Sequence, residues 1–88
     1  MRITEKDLKA VCARINTITN SPDKPYLNGV AQIGNFHVSS AYGGWNLQRM
    51  ANKSGGVNVV FSGYQPKKDL YNQMHAFISG LNFGGETP

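Results

Sequence analysis

Near the N-terminus, apolar residues recur at helical spacing: Leu8, Val11, Cys12, Ile15 and Ile18 fall on one stripe. Arg2, Lys6, Lys9 and Arg14 lie away from it, on or beside the solvated side. Thr4 followed by Asp7 has the form of a capping box, with aspartate in place of the usual glutamate. TNSPDKP ends this helix, because prolines and side chains that compete for backbone hydrogen bonds cluster there.

From Tyr26 to Ser62 the period changes to two. Asn28-Gly29 and Gly34-Asn35 both carry turn chemistry, and the pattern leaves open which turns and which bulges. A first strand is expected near Val30 to Ile33, in undetermined register. The stretch NFHVSSAYGGWNLQRMA is clearer. With Gly43-Gly44 as a two-residue turn, Tyr42 faces Trp45, Ser40 faces Leu47, Val38 faces Arg49 and Phe36 pairs with Ala51. One face then collects Phe36, Val38, Tyr42, Trp45 and Leu47. The other collects His37, Ser39, Asn46 and Gln48, with Ala41 and Met50 as exceptions. That separation predicts an antiparallel hairpin with one dry and one wet face. Arg49 is the misfit on the dry face; it fits a sheet edge with its stem packed and its head in water, or a functional groove.

VNVVFS reads as a further strand with Val57, Val59 and Phe61 on one side, and GYQP breaks the sheet. Pro66 stands near the first turn of a second helix, where its missing N–H does no harm. Leu70, Met74, Phe77, Ile78 and Leu81 form that helix's stripe, with Tyr71 beside it. Gly80 and NFGGETP mark its expected end, leaving a frayed tail at about 83–88. The pattern predicts a single α+β domain over 1–88, in the order α-β-β-β-α. A small antiparallel sheet with both helices on its apolar face is the economical packing.

Composition narrows the classes. At 40% hydrophobic and 10% aromatic, the 88 residues can build one modest core, which excludes a disordered chain. No run approaches the roughly 20 apolar residues of a membrane span. The N-terminal charges have no apolar stretch behind them, so no signal peptide is expected. A cytoplasmic protein follows by default. The single cysteine, Cys12, excludes an internal disulfide and a cysteine-rich zinc site; on the helix stripe it reads as a small buried hydrophobe. A formal net charge of +4 suits an acidic partner, either nucleic acid or protein.

Candidate chemistry is sparse. Tyr42 and Trp45 beside the turn could stack on bases, yet they share a face with Phe36, Val38 and Leu47, so packing under the helices is the expectation. His37 and His75 have no metal-ligand spacing with the lone cysteine and the few acids. Glu5, Asp7 and Asp69 suit helix first turns, and Ser39 and Ser40 lack a nucleophile setting. No cofactor, metal site or enzymatic activity is expected. Lys67 and Lys68, opening the second helix, are the most suggestive charges, since a helix N-terminus donates free N–H groups to anions. This order of elements, with PKK at that place, resembles the double-stranded RNA-binding domain. That resemblance implies phosphate contacts through Lys67 and Lys68, to which Lys6, Lys9 and Lys53 would add. The family's glycine–proline loop is missing, and DLYNQMHAFISGL is bulkier than its final helix.

A second likeness covers almost the whole chain. TEKDLKAVCARIN, IGNFHVSSAYGGWNLQRM and PKKDLYNQMHAFISGL resemble a group of small tailed-bacteriophage and prophage proteins, with the match carried by Ile33 to Leu47 and Tyr71 to Leu81. The resemblance implies expression in an infected bacterium and an accessory role in the host cytoplasm. It points to a noncatalytic protein that binds a host macromolecule, foremost a host protein, with direct nucleic-acid binding as the alternative. His37, Ser39, Asn46, Gln48, Lys67 and Lys68 are the candidate contacts. An uncovered sheet edge leaves both a monomer and an edge-paired homodimer open.

Overall fold

Thr4 opens the first helix as its spacing predicts. Its hydroxyl accepts from the Asp7 N–H at 3.2 Å, and the Asp7 carboxylate accepts from the Thr4 N–H at 2.9 Å. The computed structural model describes residues 2–61 and 63–86, with side chains to residue 81. In chain order the elements are α1 (Glu5–Ile18), β1 (Tyr26–Leu27), β2 (Val30–Ala31), β3 (Phe36–Ala41), β4 (Gly44–Met50), β5 (Val57–Val59) and α2 (Lys67–Glu86). The fold is α+β. β3, β4 and β5 form one antiparallel sheet in that order, and β1 with β2 forms a separate two-stranded hairpin. The expected strand near Val30 to Ile33 is thus half of a minimal hairpin. Its turn is Asn28-Gly29, where both residues take positive φ, as a primed turn requires.

The central hairpin departs from expectation in its turn. The turn residues are Tyr42 and Gly43, at φ 53° and 75°, and Gly44 already belongs to β4. The observed pairs are Phe36 with Arg49, Val38 with Leu47, Ser40 with Trp45 and Ala41 with Gly44. Gly44 serves a different need from a positive φ. A Cβ there would lie 2.8 Å from the Gln65 nitrogen and 2.9 Å from the Tyr64 carbonyl carbon. Beyond β5, Trp45 and Gln65 exchange backbone hydrogen bonds of 2.7 and 2.9 Å, which draws the chain against Gly44. Each β3 residue consequently pairs two positions earlier along β4 than expected. A two-residue slip leaves every strand side chain on its expected face. Tyr42 leaves the dry face for the turn.

Both helices lie on that dry face, α1 over β3 and α2 over β4, and they pack against each other. Leu8, Val11, Cys12 and Ile15 of α1 meet Leu70, Met74 and Ile78 of α2 above Phe36 and Leu47. Val38, Trp45, Val60, Phe61, Tyr71 and Phe77 pack around this core, with the Phe77 ring 5.9 Å from Phe36 and 6.0 Å from Phe61. Burying each large apolar side chain contributes about 1.5–3 kcal/mol, so this cluster dominates the stability. Ile18 falls outside it and is exposed.

Two further expectations are corrected. β5 stops at Val59, and all three of its residues are exposed; Val60 and Phe61, not Val57 and Val59, turn toward the core. The second helix runs through Gly80 to Glu86, so residues 83–86 are helical and only 87–88 of the proposed tail lie outside the described residues. Gly80 does not take a positive φ, and a single interior glycine costs a helix only about 1 kcal/mol relative to alanine.

Candidate partner-binding surface

Asn16 shapes the edge of the sheet. Buried on α1 with 4% exposure, it donates its amide to the Phe36 carbonyl at 2.9 Å and accepts from the Phe36 N–H at 2.7 Å. The Cys12 thiol donates to the same carbonyl at 3.1 Å. Asn16 thus mimics one rung of a neighbouring strand and fixes α1 along β3. Sequence reading passed over it because it lies one position off the apolar stripe. A polar residue able to give and take a hydrogen bond, set beside a buried stripe, is the signal that could have revealed it.

Phe36 turns both backbone polar groups toward α1, away from β4. By the alternation of an antiparallel ladder, Val38 and Ser40 turn theirs the same way. Among the described residues, none hydrogen-bonds these groups. Beside them, α1 and the loop 23–25 enclose an open groove of about 410 Å³ with Cys12, Ala13, Phe36 and Val38 among its apolar lining. Lys9 stands toward the start of α1, and Asp23 at the opposite end of the groove, beyond the helix's C-terminus.

The face of the sheet away from the helices carries three of the expected contacts. His37, Ser39 and Gln48 lie there half-buried, with His37 and Gln48 directly paired across the strands. Val57 and Val59, exposed, extend this face along β5. Burial holds the His37 imidazole below its ordinary pKa, with Gln48 pulling the other way, and its Nδ1 lies 3.2 Å from the Asn35 Oδ1. Asn46 is corrected. It is buried, because the chain after β5 folds across it and its amide donates to the Gly63 carbonyl at 2.8 Å. It belongs to the scaffold and not to a contact surface.

The aromatic residues of the turn separate. Trp45 packs against the core as expected, whereas Tyr42 is 95% exposed at the hairpin tip, touching Tyr64 edge-on at 5.6 Å. The Lys67 ammonium lies 5.7 Å from the centre of the Trp45 ring, and Lys68 beside it is exposed. Lys9 bonds Glu5 at 2.8 Å, and through that hydrogen bond first holds the Glu5 carboxyl below its usual range; Lys67 adds to this from α2. Lys6 is exposed on α1, and Lys53 lies past the far end of β4 from Trp45. The five lysines therefore do not converge on one track.

Cys12 is buried at the floor of the groove, and burial pushes its thiol up to about 12, so it behaves as a hydrophobe with a weak donor. Arg49 is not at the expected sheet edge: it lies on the central strand, paired with Phe36 and Asn58, exposed, its guanidinium 4.9 Å above the Phe36 ring and its Nε donating to the Gly34 carbonyl at 3.2 Å. His75 stacks edge-on against Tyr71 at 4.5 Å. Among the described residues, no three histidine, cysteine or acidic side chains gather at metal-binding range, and no helix is long and apolar enough to cross a membrane. Comparison with protein-family models, with curated proteins and with solved structures finds no match to the chain.

Proposed function

We propose that this chain is a noncatalytic phage accessory protein that binds a host protein in the bacterial cytoplasm. The observation carrying this reading is the one-sided packing of the sheet. Both helices cover one face, leaving uncharged polar and apolar groups (His37, Ser39, Gln48, Val57, Val59) open on the other. Tyr42 adds to it: a bulky ring at positive φ, almost wholly exposed, gives the fold little and costs about 1 kcal/mol in backbone strain. Tyrosine presented this way is a common anchor at protein interfaces. Affinity capture from nuclease-treated bacterial lysate tests the reading. A stoichiometric protein should survive nuclease and be lost with Gln48→Glu combined with Val59→Lys; repeated absence of any such protein overturns it.

A second reading has its own observation, the cluster of Tyr42, Tyr64, Trp45, Lys67 and Lys68 at one end of the molecule. It predicts DNA or RNA retention that falls steeply with salt and is lost with Lys67→Glu plus Lys68→Glu. The separation of Lys53, past the far end of β4, from the Lys67–Lys68 end favours the protein partner.

A further inference from the structure

We propose that β3 takes up an extended peptide segment of the protein partner as an added strand, with an apolar side chain of that segment in the α1–β3 groove and an acidic one beside Lys9. This rests on the protein-partner reading above and specifies its mode.

Three observations meet at this edge. Val38 and Ser40 hold four backbone groups in strand alternation, unpaired among the described residues, the pattern that an added extended backbone matches. The strand Phe36–Ala41 carries no charge and no proline, the usual devices that keep an open edge from pairing. The groove beside it is large enough for a side chain and has an apolar lining, at about 410 Å³. β5 is the other edge strand, but all three of its residues are exposed and neither helix packs closely on it among the described residues.

Charge selects the occupant. Lys9 lines one end of the groove, exposed and bonded to Glu5 through one of its three N–H donors, which leaves two for a further carboxylate. Asp23 marks the opposite end. A second copy pairing through its own β3 would bring FHVSSA, which has no acidic residue to set beside Lys9. An added strand points alternate side chains to one face, so the apolar and acidic residues must be two apart. The remaining side chains would lie with His37 and Ser39 on the open face.

The test uses the full chain and two acetylated, amidated peptides, Thr-Val-Thr-Leu-Thr-Glu-Thr and its reverse, which cover both strand directions. In two-dimensional amide NMR, one of them should shift Val38 to Ser40 together with Lys9 and Ala13, and slow amide exchange at Val38 and Ser40. Lysine in place of the glutamate should weaken binding about threefold, the effect of one exposed ion pair. Ser40→Pro should weaken it at least tenfold while leaving the β3–β4 ladder intact, because the Ser40 N–H faces away from β4. Ala13→Leu, which fills the groove from the helix side, should do the same. The proposal is overturned if both peptides fail at millimolar concentration, if Ser40→Pro binds as wild type does, or if light scattering shows a dimer that Ser40→Pro dissociates. Lysate capture unchanged by Ser40→Pro would remove the groove and leave the protein-partner reading standing. No capture by the wild type removes both.

Discussion

Replacing Asn16 with alanine should remove the clamp that holds α1 to the sheet. The Phe36 N–H would lose its one acceptor among the described residues, at 2.7 Å, and the Phe36 carbonyl would lose the Asn16 amide at 2.9 Å, keeping the Cys12 thiol at 3.1 Å. An unsatisfied buried donor costs about 1–3 kcal/mol, and the second lost bond adds about 0.5–1.5 kcal/mol. Asn16 borders the groove, so water can reach part of the vacated space and the sum falls toward the middle. We expect a loss of about 2–3 kcal/mol, a large share of the roughly 5 kcal/mol available to a small domain. Urea unfolding followed by Trp45 fluorescence reads this as a midpoint lowered by about 2 M, with the slope unchanged. Hydrogen exchange at the Phe36 amide should accelerate in parallel. Asn16→Asp is the control, because it restores the acceptor and sets a carboxylate against the carbonyl. Burial raises that carboxyl's pKa, so the variant should gain stability as pH falls and the group takes up a proton. A change below about 0.5 kcal/mol, with Phe36 exchange unaltered, would refute the docking of α1 through Asn16.

Tyr42→Asn should stabilise the fold by about 0.5–1 kcal/mol, since asparagine tolerates positive φ better and no buried contact is lost; denaturation should show the gain while partner capture weakens. Gly44→Ala should cost about 1–3 kcal/mol through collision with the Tyr64 and Gln65 backbone, seen as a lower melting temperature and a faster-exchanging Trp45 amide. Cys12 should resist a thiol reagent at pH 8 in the folded state and react fully in denaturant. Its folded pKa of about 12 exceeds the ordinary 9.0, so only the unfolded chain loses the proton between them, and stability should fall as pH rises through that window.

Much of this architecture is legible in the chain. The capping box, the α1 stripe from Leu8 to Ile15 and the α2 stripe through Leu70, Met74 and Ile78 follow from helical periodicity, and the structure places each on its expected face. Strand faces were legible for the same reason, since a period of two survives a two-residue slip. The turn was not. Glycine pairs suggest positive φ, but Gly44 is needed for close approach to a segment whose contact is non-local, so the turn fell to Tyr42-Gly43. Asn46 illustrates the same limit. Alternation placed it on the open face, and only the return of the chain at Phe61 and Gly63 buries it. The candidate surface was half legible: His37, Ser39 and Gln48 came from alternation, whereas the groove and the Asn16 clamp depend on how α1 lies across β3.

The most direct measurement is hydrogen-exchange mass spectrometry on the whole chain, with and without nuclease-treated bacterial extract. The account predicts slowed exchange over residues 37–41 on binding, resistant to nuclease and lost in Ser40→Pro. Protection confined to residues 64–68, and abolished by nuclease, would contradict it.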